Sequence, residues 1–199
     1  MAKLVGLLSD RNADPVIAVP HLVCLADATD AILASLMGAP ARPQRHAGLV
    51  LAWPRDDAER GAAEAALAAH TSALYRVDEV LHWDELDGRS DGAVLLTYLV
   101  RRRPDLSFAA FQSHYRERHA PLARIHHPGI ARYVQNYIEP RERESAPVDA
   151  ISELWFRSEQ DARTRFYRDE ESRRAIGEDV RRFVDLRGGS AFAVRPRPA

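Results

Sequence analysis

Of the eight histidines in the chain, His119 has the setting best suited to chemistry. At about 100° per residue, Phe108, Phe111, Tyr115 and His119 fall within one narrow arc of a helix that begins near Ser107. Such an arc is the apolar stripe a helix lays on a sheet. His119 is then the polar member of a core-facing row, at the C-terminal end of its helix. Free carbonyls at that end favour a protonated imidazole or accept its N–H. A partly buried imidazole titrating near neutrality beside a confined substrate is what general acid/base catalysis needs. The same position also suits a histidine bonded to a backbone carbonyl, fixing the turn before Pro121. His114 points away from the stripe and reads as a surface residue.

Strand alternation supplies candidate partners. Tyr133, Gln135 and Tyr137 share one face of a strand, opposite Arg132, Val134 and Asn136. In the following strand Asp149, Ile151, Glu153 and Trp155 alternate with Ala150, Ser152, Leu154 and Phe156, and in an earlier one Leu96 and Tyr98 oppose Leu95, Thr97 and Leu99. The Tyr133 phenol could orient a carbonyl or donate a proton, and the Glu153 carboxylate could set a histidine's tautomer. Tyr98, Phe111, Tyr115, Glu153 and Trp155 are the expected substrate-binding side chains. All are equally residue types that fill a core, and parity does not say which strand face meets the helices.

Other chemistries lack their residues. His126-His127 is no metal motif, because adjacent side chains on a turn diverge, and neither a His-Glu-x-x-His nor a cysteine cluster occurs. No P-loop is present, no Gly-x-Ser-x-Gly elbow surrounds a serine, and Gly188-Gly189 without a Rossmann context reads as a turn. The expectation is therefore no metal and no cofactor. Cys24 is the sole cysteine, within Leu22-Val23-Cys24-Leu25, so it reads as a buried inert thiol. Net charge is −1 and acidic residues are interleaved with the arginines, which argues against a nucleic-acid or anionic-membrane partner. Lys3 is the only lysine. Arg101-Arg102-Arg103 reads as a solvated strand end. No apolar stretch approaches the ~20 residues that cross a bilayer and no signal peptide is evident, so a soluble cytoplasmic protein is expected.

At 199 residues the chain holds one large or two small domains. The polar run Asp84 to Gly92 divides it near the middle and reads as a linker. In the second half Val94 to Val100 reads as a strand. A helix then starts at the Ser107 cap, with Leu106 and Phe111 as its hydrophobic staple. Pro121 and Pro128-Gly129 bound that helix and its turn. Ile130 to Ile138 and Asp149 to Phe156 are strands joined by a charged loop from Glu139 to Pro147. Ser158 with Asp161 opens a second helical region, with a break expected near Gly177, and Ser190 to Arg195 is a last strand. The order β-α-β-β-α-β is the ferredoxin-like split βαβ arrangement. In the first half, Lys3 to Leu8 and Val16 to Leu25 look extended, and Thr29 to Met37 looks helical. Gly48 to Trp53 reads as a strand, Asp56 to His70 as a helix, and Leu74 to Trp83 as a closing strand. This mirrors the second half only partly, as a degenerate copy of one module or an unrelated extension.

The segment from Leu106 to Leu122, with its serine cap, spaced aromatics and terminal His119-Ala120-Pro121-Leu122, resembles the signature helix of the EthD family. Arg132-Tyr133-Val134-Gln135-Asn136-Tyr137 resembles that family's Tyr-x-Gln-Asn strand. Val148-Asp149-Ala150 with Glu153-Leu154-Trp155-Phe156 resembles its next strand, and Arg182-Phe183-Val184-Asp185 its late Phe-Val-Asp element. The resemblance implies an α+β fold, a ferredoxin-like dimeric α/β barrel built here from two tandem modules at 1–86 and 92–199, the first degenerate. The barrel would close as a homodimer or as a pseudo-dimer within one chain. The resemblance further implies a cofactor-independent enzyme acting by proton transfer on a hydrophobic oxygenated small molecule, such as a polyketide or aromatic compound. Dehydration, cyclisation, decarboxylation and isomerisation all fit, with His119 as acid/base and Tyr133 as hydrogen-bond donor. A non-catalytic binder of a degradative pathway, a haem-binding barrel and a purely structural oligomerisation module stay open.

Overall fold

The computed structural model describes residues 2–88, 91–140 and 146–197. Eight antiparallel strands close into one barrel within the single chain, in the order β1-β3-β2-β8-β5-β7-β6-β4. They are β1 (Ala2–Leu8), β2 (His21–Ala26), β3 (Gly48–Ala52) and β4 (Thr71–Asp84), then β5 (Val94–Val100), β6 (Ile130–Ile138), β7 (Ala150–Phe156) and β8 (Ser190–Pro196). The first half contributes the run β4-β1-β3-β2 and the second β8-β5-β7-β6, so the two halves repeat one strand order. Two seams join them. β4 pairs with β6 from Val77↔Ile138 to Asp84↔Arg132, and β2 pairs with β8 over Cys24↔Pro196 to Ala26↔Val194. Closure leaves no free sheet edge to template aggregation.

Period-two alternation sorts the strand side chains into two layers. One cluster takes residues from all eight strands, including Val5, Cys24, Leu51, Val77, Leu95, Ile138, Ile151 and Phe192, and fills the lumen. The opposite faces carry the helices. On the second half Leu96, Tyr133, Tyr137, Leu154 and Phe156 pack beneath Phe111, Tyr115, Phe166 and Phe183. On the first half Leu4, Val23, Val50 and Ala52 meet Ala63 and Leu67 of α2 (Asp57–Ala68).

Caps account for most helix starts. The Asp56 side chain accepts the Glu59 N–H, and the Glu59 carboxylate returns to the Arg55 N–H at 2.8 Å. α1 (Ala31–Met37) ends on Gly38 at φ +61°, the left-handed conformation that glycine adopts without penalty. In the second half Ser107 accepts from Ala110 N at 3.1 Å to start α3 (Phe108–His114), and Ser158 accepts from Asp161 N at 3.1 Å to start α5 (Glu159–Thr164).

Several sequence expectations are corrected. Strand β2 begins at His21, because the chain from Val16 to Pro20 is not in the sheet. The helix does not stop at Pro121. It passes through a π-helical turn (115–119) into α4 (Ala120–His126), where Pro121 occupies the first turn and needs no N–H partner. The break in the last helical region falls at 165–169, and α6 (Glu170–Phe183) runs straight through Gly177. Part of the expected linker (89–90) and of the Glu139–Pro147 loop (141–145) lies outside the described residues.

Candidate functional site

The helix carrying His119 is held on the sheet by the predicted stripe. Phe111, Tyr115 and His119 are buried, and Phe108 is half-buried. Their rings form a continuous set with Tyr137 of β6 and Phe183 of α6. Tyr115 lies 4.8 Å from Phe183 and 5.5 Å from Phe111, and His119 lies 5.1 Å from Phe183 and 5.3 Å from Tyr115. His119 closes the π-helical turn. Single π turns inside α-helices occur frequently at functional sites.

The His119 ring is oriented from α6. Its Nδ1 lies 2.9 Å from Asp179 Oδ2, and His114 Nε2 lies 2.8 Å from the other carboxylate oxygen. Burial alone would raise the Asp179 carboxyl. The hydrogen bonds and charges of His119 and His114 outweigh it and hold the group below its ordinary value. An ionised carboxylate only accepts, so Nδ1 is the donor of this bond and Nε2 lies on the opposite edge of the ring. Among the described residues Nε2 makes no hydrogen bond. His114 is thus not a surface residue. It is half-buried and stacks on Phe183 at 4.9 Å, because α6 covers that flank of α3.

Beneath the ring, phenols and amides interlock. Tyr115 Oη bonds Ser152 Oγ, and Gln135 Nε2 donates to Tyr133 Oη at 2.9 Å and to the Tyr115 carbonyl at 3.0 Å. Tyr137 Oη donates to Gln135 Oε1 at 2.5 Å. Burial pushes the Tyr98, Tyr115, Tyr133 and Tyr137 phenols up, so each stays protonated at neutral pH. From the first half, His82 stacks on Tyr133 at 5.2 Å with its Nε2 buried and unpaired among the described residues. Burial lowers its pKa, so this ring is neutral.

The predicted site residues divide between two layers. Tyr98, Phe111, Tyr115, His119 and Tyr133 lie together on the helix side of the second-half sheet. Glu153 and Trp155 do not join them, because odd positions of β7 face the lumen. Glu153 is therefore not the partner of His119, and Asp179 holds that place. There Glu153 Oε1 accepts from Lys3 Nζ at 2.5 Å and Asn136 Nδ2 at 2.7 Å, while Oε2 accepts from Trp155 Nε1 at 3.0 Å. Lys3 also reaches Glu79 Oε2 at 2.5 Å, and Trp53 Nε1 donates to the same oxygen at 3.1 Å. A cavity of about 110 Å³ opens beside this network, lined by Trp53, Leu86, Arg132, Glu153 and Trp155 among others.

Sequence reasoning missed Asp179, His114 as a partner, and the Lys3–Glu79–Glu153 network. Asp179 lies on the buried side of α6 with Ile176 and Phe183, and a carboxylate on that stripe was the available signal. The remaining singled-out groups have structural partners. Arg102 Nε pairs with Asp149 at 3.0 Å, and Arg103 pairs with Asp105. His126 Nδ1 meets Ser172 Oγ at 2.9 Å, and His127 Nδ1 meets the Phe166 carbonyl. Cys24 is fully buried, which pushes its thiol up and keeps it unreactive. No group of three metal-binding side chains occurs among the described residues. No helix among them is long and apolar enough to cross a membrane.

Residues 103–187 match the EthD domain family. Among curated proteins nothing matches the chain. Two solved structures share the fold over nearly its whole length. An anthrone oxidase-like protein aligns at TM-score 0.58 and 13% identity, covering 99% of this chain and 91% of its own. A candidate monooxygenase of Fusobacterium nucleatum subsp. nucleatum ATCC 25586 aligns at TM-score 0.56 and 8% identity, covering 98% and 91%. The likeness takes in both halves, so the first half belongs to the shared barrel.

Proposed function

We propose that this chain, whose residues 103–187 match the EthD domain, processes a hydrophobic oxygenated small molecule by cofactor-independent proton transfer on the helix side of its second half. The observation that carries the reading is the Asp179-oriented imidazole, its Nε2 without a hydrogen bond among the described residues, closing a π-helical turn above protonated phenols. Nε2 takes a proton from carbon beside a carbonyl, and Asp179 stabilises the imidazolium that results. Tyr133 and Tyr115 supply hydrogen bonds to the enolate oxygen by exchanging their present partners, Gln135 and Ser152. Phe111 and Tyr98 wall the site. An enolate so formed can expel a β-hydroxyl as water, add to a second carbonyl to cyclise, or isomerise on reprotonation, and loss of CO2 from a β-keto acid would deliver the same enolate for the imidazole to protonate. The enolate is also the electron-rich species that reacts with dioxygen, consistent with the oxidase and monooxygenase descriptions borne by the two structural neighbours. Their remote identity makes this a chemical parallel and no more.

The halves 1–86 and 92–199 are best read as tandem ferredoxin-like modules forming a pseudo-dimer, the first worn. The repeated strand order supports this, and so does the position of α1 in the first half, between β2 and β3 instead of between its first two strands.

Deuterium exchange at the acidic methylene of anthrone under nitrogen isolates the proton-transfer step from any oxidation. Wild type is expected to accelerate exchange above buffer, and His119→Ala to lose about 10²-fold or more of that rate while keeping its circular-dichroism spectrum. Full exchange activity in a folded His119→Ala overturns the assignment.

A further inference from the structure

The lumen holds charges that the helix-side site does not use. Lys3 and Glu153 are essentially fully buried, and Glu79 is half-buried, its side chain 16% exposed. Taking ions out of water is costly, and well-packed apolar residues of similar volume often hold a core as well or better. Barrel closure alone therefore does not account for this network. Its composition is unbalanced. One ammonium faces two carboxylates, leaving one negative charge inside. Arg132, at the cavity rim, also acts on Glu79, but it brings Asp84 with it at 3.1 Å, so the formal surplus of one negative charge stays.

The surplus lies next to acceptors without donors. An ionised carboxylate offers about four lone-pair directions, and Glu153 uses three, on Lys3, Asn136 and Trp155. Asn136 Oδ1 and Thr97 Oγ1 are both buried and unpartnered among the described residues. Asn136 bonds Glu153 through its amide nitrogen, and Thr97 is the register partner of Glu153 on β5, so all three oxygens belong to one lumen layer. The cavity of about 110 Å³ touches Glu153, with Trp53 and Trp155 on its walls. Both indole N–H groups are spent on carboxylates, which leaves ring carbon to contact an occupant. The rim residues Asp84 and Gly88 are exposed, so the cavity is open to entry.

We propose that the barrel mouth is a second binding site, for a compact organic monocation: a primary ammonium directed at Glu153 and carried by a single ring seated between Trp53 and Trp155. The charge of the ligand offsets the surplus, its N–H groups meet the remaining lone pair of Glu153, and the Trp155 wall favours a cation, the Trp53 ring already lying 5.1 Å from Lys3 Nζ. At about 110 Å³ the cavity is smaller than the about 150 Å³ that admits benzene, so a single ring would sit partly in the mouth. This site is independent of His119.

Titration calorimetry on the full chain with benzylammonium, benzyl alcohol and benzoate tests it. Saturable binding of benzylammonium is expected, at least about tenfold tighter than benzyl alcohol, with none for benzoate. Arg132 Nε also lacks a partner among the described residues, so preference for benzoate would mean that the rim guanidinium governs the site and would overturn the proposal. Leu22→Trp fills the cavity from its wall without touching the charges and is expected to abolish binding with an unchanged melting temperature. Glu153→Gln is expected to erase the preference for the cation. Should that variant fail to fold, Leu22→Trp and the neutral isostere still decide. Absence of saturable heat to about 10 mM, the weak end for a ligand of this size, equal binding of benzyl alcohol, or undiminished binding in Leu22→Trp each defeats the inference. His119→Ala is expected to bind benzylammonium like wild type, which separates this site from the proposed catalytic one.

Discussion

Stability should fall steeply between pH 6.5 and 4 because of one residue, His127. Its ring is buried at the end of α4, bonded through Nδ1 to the Phe166 carbonyl and packed 4.7 Å from Phe166 and 5.0 Å from Tyr167. Burial lowers its pKa from 6.5 to about 4, the carbonyl bond opposes the shift, and the neighbouring His119 and His126 charges add to it. Between those two values the unfolded chain binds a proton that the native chain refuses, so stability rises with pH. It is fully present above the unfolded value near 6.5 and lost as pH falls towards 4. At about 1.4 kcal/mol per unit, the shift is worth about 3 kcal/mol. His127→Gln can keep a donor to the carbonyl but does not titrate. Urea unfolding of both proteins from pH 7 to pH 4.5 cancels the carboxylate background. The wild-type advantage should shrink by about 2–3 kcal/mol across that range. Parallel curves would refute the reasoning, and with it the claim that a neutral His127 anchors the end of the helix carrying His119.

Three further outcomes follow from the same geometry. Asp179→Asn should leave the fold intact yet cut anthrone exchange by about 10²-fold or more, because an amide can hold the wrong imidazole tautomer; an unchanged rate would remove Asp179 from the mechanism. Lys3→Met should destabilise by about 3–5 kcal/mol in urea unfolding, since it strands the Glu153 and Glu79 carboxylates. Adding Glu153→Gln should recover part of that loss, and strict additivity would deny the coupling. Gly48→Ala should lower stability by about 1–3 kcal/mol, because a Cβ there would lie 2.2 Å from the Cys24 carbonyl oxygen of the paired strand. A melting temperature like that of wild type would show that β2 and β3 can separate.

Legibility in the sequence followed the range of the interactions. Local rules found β6, the Ser107 and Ser158 caps, and the stripe Phe111–Tyr115–His119, because alternation, capping and helical periodicity act within a few residues. They failed at Pro121, where the π-helical turn absorbs a proline that usually bounds a helix, and at Gly177, where packing of α6 on the helix that carries His119 overrides the local helix penalty of glycine. Strand parity correctly separated Tyr133 from Asn136 and Ser152 from Glu153, but it was silent on which side was the lumen.

By itself, then, the sequence determined the element types of the second half, the EthD resemblance, and the imidazole at the end of an aromatic stripe. Only tertiary structure decided that one chain closes the barrel, that Asp179, 60 residues from His119, orients its ring, and that Glu153 and Trp155 belong to a different compartment. Local preferences are fixed by neighbours along the chain. The sidedness of a sheet and the pairing of distant charges depend on which surfaces must leave water together, and that is settled only when the whole barrel closes.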